Sequence, residues 1–292
     1  MDPERAAGVR ADLDALVGLA WGDGGAAAVR AYLRARLEAT HAVPYAPRTR
    51  DGDLGALVAA LPGREPDRRP LVLTARTDLT GASALVGVAA VLATLPRLAD
   101  AALERGVLVA LFDETGGEGR AAATRWFEEG RRHDVKAAIV VGRLVPGRRV
   151  ADDDVLAVAG VETDARMPEV LDGAAPPGLR VWPTRHVADG LPFARHAVPY
   201  VRIGAPALGP TRRPRVDLAR AAHLGALAAD LVVALATRLD AARLPGPYGG
   251  YDSTPYEVAA TERALGPVLA DLGGAAASRG DLERIAARLH EA

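Results

Sequence analysis

Two apolar runs in this sequence end in charge. Residues 71–75, Leu-Val-Leu-Thr-Ala, stop at Arg76-Thr77-Asp78, and residues 106–112, Gly-Val-Leu-Val-Ala-Leu-Phe, stop at Asp113-Glu114. Runs this apolar are buried strands, and open α/β sheets place ligands and chemistry just beyond the carboxyl ends of their strands. Asp78, Asp113 and Glu114 are therefore the candidate catalytic carboxylates, and Arg76 stands beside them as a ligand-binding cation. His186 and Asp189 share a later loop and are the histidine–carboxylate pair best suited to a site, although a loop histidine bonded to its neighbour is the commoner arrangement.

Other chemistries lack their motifs. There is no cysteine, so disulfides, thiolate metal sites and cysteine nucleophiles are excluded. Thr-Gly-Gly-Glu-Gly at 115–119 is too short and misplaced for a phosphate loop, and no Gly-x-Gly-x-x-Gly opens the first βα unit. No Gly-x-Ser-x-Gly elbow occurs, and Ser83 has no partner that would make it a nucleophile; it reads as the N-cap of the following helix. Asp152-Asp153-Asp154 lacks the spaced ligands and glycine of a calcium loop and reads as a solvated turn. His196 and His223 read as structural.

Alternating elements must position the strand-end charges. Amphipathic helices are expected over 3–19 and 25–40, a strand or short helix near 53–63, and the first buried strand at 71–75. A nearly all-apolar helix follows and is expected to end or kink near Pro96. Then come the strand at 106–112, a helix over 120–130, a third buried strand over 135–142, and a hairpin or edge strand around 151–164. A strand, a loop, a short helix and a last strand at 198–203 lead to a long closing helix over 216–239. This alternation predicts a mainly parallel sheet covered on both faces. A Gly/Pro/Tyr linker near 245 divides residues 1–244 from a C-terminal extension with helices at 257–272 and 281–289, Asp281 serving as an N-cap. Both helices carry apolar stripes that need covering, by the domain or by a second copy.

Composition narrows the partners. The 292 residues suffice for one large α/β domain with an appendage, and 49% hydrophobic content with 4% aromatics means a core of Ala, Leu and Val. The net charge of −1 provides no electrostatic reason to expect nucleic acid or an anionic membrane. Thirty-five arginines against one lysine, Lys136, mark a compositional habit that weakens any argument from a single arginine. No apolar run approaches 18 residues and the first twenty residues have no uninterrupted apolar stretch, so the expectation is a soluble, cytoplasmic protein.

The order of pieces resembles the zinc aminopeptidases of clan MH, a group that includes the glutaminyl cyclases. The resemblance spans residues 20–240 and rests on Ala-Arg-Thr-Asp, Gly-Ala-Ser-Ala-Leu-Val-Gly, Asp-Glu-Thr-Gly-Gly-Glu-Gly-Arg, Ala-Ile-Val-Val-Gly, Val-Ala-Asp-Gly-Leu-Pro-Phe-Ala-Arg-His-Ala-Val-Pro-Tyr-Val-Arg-Ile-Gly and Arg-Pro-Arg-Val-Asp, in family order. Two-domain exopeptidases share some of these pieces, but the chain has no room for their inserted lid. The resemblance implies a three-layer α/β/α sandwich and a two-zinc site. It also places the family's ligand positions on unsuitable residues: Arg76, Ser83, Val141 or Gly142, and Arg213, with Asp113 and Glu114 at the general-base and ligand glutamates. Guanidinium groups have donors only and cannot ligate zinc.

The expectation is therefore a degenerate homologue without zinc or other cofactor. Its pocket, with Arg76, Arg213, Ser83, His186 and Asp189 as binding groups, would hold a small amino-acid- or peptide-like ligand or support metal-free chemistry. Two alternatives stand beside it: an active zinc hydrolase with a site rearranged around Asp113, Glu114, His186 and Asp189, and a non-catalytic scaffold that assembles through its C-terminal helices.

Overall fold

The computed structural model describes residues 3–21, 25–40, 42, 44, 46, 48–49, 52–53, 56–77, 82–113, 124–127, 135–144, 154–184, 191–205, 217–244, 252–269 and 274–291. In chain order the elements are α1 (Pro3–Trp21), α2 (Gly25–Glu38), β1 (Arg48–Thr49), β2 (Gly52–Asp53), β3 (Ala56–Leu61), β4 (Leu71–Thr77), α3 (Ala82–Asp100), β5 (Val107–Asp113), β6 (Ala137–Val141) and β7 (Val155–Ala159). A 3-10 turn (Val161–Thr163) follows, then α4 (Met167–Ala174), β8 (Arg180–Pro183), α5 (Leu191–Arg195), β9 (Tyr200–Gly204), α6 (Leu218–Ala241), α7 (Thr254–Leu269) and α8 (Arg279–Glu291). Residues 124–127 form a further helical turn.

Seven strands make one mixed sheet in the order β3-β5-β4-β6-β9-β7-β8. The pairs β5–β4, β4–β6, β6–β9 and β7–β8 are parallel, whereas β3–β5 and β9–β7 are antiparallel. The three expected buried strands lie side by side near the middle. Their uninterrupted apolar runs are explained by cover on both faces: Leu71, Leu73 and Ala75 of β4 point into one core, and Val72 points into the other. The first core is shared with α1, α3 and α6; Asp230 of α6 receives Arg5 of α1 (2.8 Å) and Arg97 of α3 (2.6 Å). The second core is aromatic, with Phe127 edge-on to Phe193 and Phe112 edge-on to Trp126. Asp12, buried in α1, clamps α2 by accepting from Tyr32 Oη (2.6 Å) and both ends of the Arg36 fork (2.8 and 3.0 Å).

Helix α6 is long and apolar enough to cross a membrane by length and composition. Its apolar surface is spent inside the protein, however, from Ala221 to Leu239 against α1 and α3.

Four local expectations need correction. Helix α3 does not stop at Pro96; it runs through to Asp100. Leu92, Leu95 and Leu98 are all buried across the proline, and their packing outweighs the roughly 3 kcal/mol that an interior proline costs. Strand β7 is neither a hairpin nor an edge: all five residues are buried and it pairs on both sides. The edge falls to β8, which is half-exposed at Arg180 and Val181 and ends in Pro183, where a missing N–H is harmless. Ser83 lies within the first turn of α3 rather than before it. Asp281 is not the N-cap of α8. Ser278 is, with its Oγ accepting from the Asp281 N–H (3.3 Å) while the Asp281 carboxylate accepts from Ser278 Oγ (2.8 Å) and from the Ala277 N–H (3.2 Å), a reciprocal variant of the capping box.

The C-terminal extension is helical and packs on the sheet. Ala264, Leu265 and Leu269 of α7, with Ala276 and Ile285, cover Val155, Ala157 and Trp182 of β7 and β8. Tyr256 and Arg263 of α7 also reach Asp172 of α4.

Candidate functional site

The strand ends are held level by their own hydrogen bonds. Thr77, buried at the end of β4, donates its Oγ1 to the Phe112 carbonyl (3.0 Å), and the register sets Thr77 beside Asp113. On the other flank Ala75 pairs with Val141 of β6, and the chain continues straight: the Gly142 N–H donates to the Ile203 carbonyl (2.8 Å) and the Ala205 N–H to the Arg143 carbonyl (2.8 Å). Strands β4, β6 and β9 therefore present their carboxyl ends as one ledge.

Side-chain alternation then decides what faces the ledge. Arg76 shares the face of Val72, the aromatic-core face, and is half-buried. Gly142 shares the face of Ala138 and Val140, and Arg202 the face of Tyr200. The Arg202 guanidinium lies directly over Gly142. A Cβ on Gly142 would sit 2.7 Å from Nη2 and 3.0 Å from Cζ, and one on Gly204 would sit 3.0 Å from Nη1. Two glycines thus clear the space that this guanidinium fills. Below it the Tyr200 hydroxyl is fully buried with no hydrogen-bond partner among the described residues. Burial pushes its ionisation well above the usual phenol range; the nearby Glu162 adds to that and Arg202 opposes it.

Of the residues singled out in the sequence, Arg76 is on the ledge and the backbone of Asp113 ends β5 next to Thr77. Ser83 sits in the first turn of α3, on the connection that leaves β4. Asp78, Glu114, His186, Asp189, Arg213 and the side chains of Ser83 and Asp113 lie outside the described residues. His223, read as structural, pairs with Asp154 (2.9 Å), and the His196 ring packs on Phe127.

Arg202 was missed. Its signal was present: a charged residue in the middle of the buried strand Tyr-Val-Arg-Ile-Gly, whose register partner on β6 is Val140, two residues before Gly142.

These groups do not suit a divalent metal. Arg76 and Arg202 bring positive charge and only donors, Gly142 brings no side chain, and no group of three or more His, Asp or Glu that could hold an ion occurs among the described residues. They do suit an anion, because two guanidinium groups flanking the end of β6 are forks of the kind that bind carboxylates bidentately.

No family model and no curated protein matches the sequence. Solved structures do match the fold. The LapA aminopeptidase of Legionella pneumophila aligns with a TM-score of 0.60 at 13% identity, over 80% of this chain and 73% of that one. A glutaminyl cyclase from an Acidobacteriales bacterium aligns with a TM-score of 0.59 at 16% identity, over 81% and 94%. A Zn-dependent exopeptidase from Parabacteroides distasonis aligns with a TM-score of 0.56 at 13% identity, over 80% and 97%. The fold is that of the zinc exopeptidases and glutaminyl cyclases, as the order of motifs implied.

Proposed function

We propose that this chain is a zinc-free relative of the exopeptidase and cyclase fold, and that its strand-end pocket binds a small amino-acid- or peptide-like ligand. The observation that carries the proposal is the Arg202 guanidinium seated over Gly142, one of the two positions, Val141 or Gly142, where the resemblance puts an acidic metal ligand. A site that trades a carboxylate for a cation exchanges affinity for metal ions for affinity for anions. The ligand carboxylate pairs with Arg202, and Arg76, one strand beyond β6, adds a second fork.

Calorimetric titration with a panel of free amino acids and dipeptides tests this. Saturable binding is expected, lost when the C-terminal carboxylate of the dipeptide is amidated. Arg202→Ala should weaken it about tenfold or more, the worth of one charge-assisted hydrogen bond. Gly142→Asp should do the same by placing an internal carboxylate against the guanidinium. Binding indifferent to amidation and to both substitutions, or no binding across the panel, contradicts the proposal.

A further inference from the structure

The amino ends of the strands, opposite the ledge, carry a second concentration of charge, independent of the strand-end pocket. A cavity of about 580 Å³ opens where β4, β5, β6 and β9 enter the sheet and α6 ends. Five cations line it: Arg68 and Arg69 from the turn before β4, Arg105 from the turn before β5, Lys136 from the start of β6, and Arg243 after α6. Among the described residues two carboxylates, Glu104 and Asp240, join them, and His196 adds an imidazole ring. The excess is positive in a chain whose total charge is −1.

Some of this charge is committed to structure. Arg68 pairs with Glu65 and with Glu104 (2.5 Å). Arg105 reaches Asp240 (3.6 Å), whose carboxylate also accepts from the Glu104 and Arg105 N–H groups (2.8 and 3.1 Å). Lys136 caps α6, donating Nζ to the Asp240 and Ala242 carbonyls (2.9 and 2.6 Å), which leaves the third ammonium N–H. Arg69 and Arg243 are not committed: both are exposed, and neither side chain has a hydrogen-bonded or ion-paired partner among the described residues.

The arginine habit of the sequence does not account for this arrangement. A compositional bias scatters cations over a surface and pairs them with whatever acids are near. Here five of them, including the only lysine in the chain, come from four separate segments to one concavity. The crowding shows in Lys136, which is held down to about 8, first by burial and then by the field of Arg105, with Arg68 and Arg69 acting in the same direction against Asp240.

We propose that this cavity binds a small, multiply charged anion bearing phosphate or carboxylate groups. Arg69 and Arg243 are its forks and the free N–H of Lys136 lies at its floor. Convergent cations around a concavity focus the field on such a ligand, and guanidinium groups recognise both chemistries through paired N–H donors.

Titration calorimetry at constant ionic strength, with tripolyphosphate and citrate as separate probes, tests the proposal. One saturable site is expected for at least one of them: tripolyphosphate alone identifies phosphate, citrate alone identifies carboxylate, and both together show that charge decides. The double variant Arg69→Ala/Arg243→Ala removes exposed side chains without structural partners, so it should keep the melting midpoint of the free protein and bind its probe about tenfold or more weakly. Failure of both probes to bind the native protein overturns the proposal, as does binding of undiminished strength in the double variant.

Discussion

Removal of residues 245–292 is expected to leave a protein that aggregates or no longer melts cooperatively. The extension is part of the core. Leu265, Leu269 and Ile285 are almost fully buried against Val155, Ala157 and Trp182. The cut deletes those three and uncovers Val155, Ala157 and Trp182; exposing the valine and the tryptophan alone costs roughly 3–6 kcal/mol at about 1.5–3 kcal/mol each, a large share of the whole stability of a typical domain. The cut also leaves Trp182 and the β7–β8 face open as an apolar patch beside an edge strand, which invites association. Light scattering and thermal melting of the truncated chain check this. A monodisperse truncated protein with an unchanged melting midpoint would show that the helices are an ornament.

The second large effect is expected at Gly160, between β7 and the 3-10 turn. Its backbone is left-handed, with φ of 100°, and a Cβ there would lie 2.1 Å from the Tyr200 carbonyl oxygen. Gly160→Ala therefore adds a conformational cost of about 1–2 kcal/mol to a backbone clash of at least another 1–3 kcal/mol. The clash falls on the β7–β9 pairing and on Thr163, whose Oγ1 bridges Gly160 and Tyr200. Gly178 provides the control: its φ is 85°, but nothing lies within 4 Å of a Cβ there. In urea titrations Gly178→Ala should lose only the conformational part, and Gly160→Ala at least twice as much. Equal losses at the two positions would contradict the packing described around Tyr200.

The fold was legible where burial is two-sided. The runs at β4, β5 and β6 are apolar throughout because both faces are covered, and no other element gives that pattern at that length. What one strand cannot reveal is its neighbours. Strand β7 reads as a hairpin or an edge, yet its place beside β9 is decided by pairing across more than 40 residues of sequence. Pro96 misled because local backbone cost was weighed without the buried leucines on either side.

The site was legible only in part, for the same reason. Arg76 could be found because it follows a strand directly. Arg202 sits inside a strand, where a charge reads as an exception, and its meaning depends on a glycine some 60 residues earlier that happens to lie alongside. The cationic cavity was invisible to pattern reading, since its residues come from five separate segments and the arginine habit conceals each of them.

The proposal at the centre is that the carboxyl end of the sheet has a cationic site in place of a metal site. Metal analysis tests it most directly: express the protein in zinc-supplemented medium, purify it without chelator, and measure zinc per chain by plasma mass spectrometry. The account predicts far less than one zinc per chain, in the native protein and in Arg76→His alike, because Gly142 and Arg202 remain unsuitable in both. One or two zinc ions per chain, removable by chelator together with an aminopeptidase or cyclase activity, would contradict it.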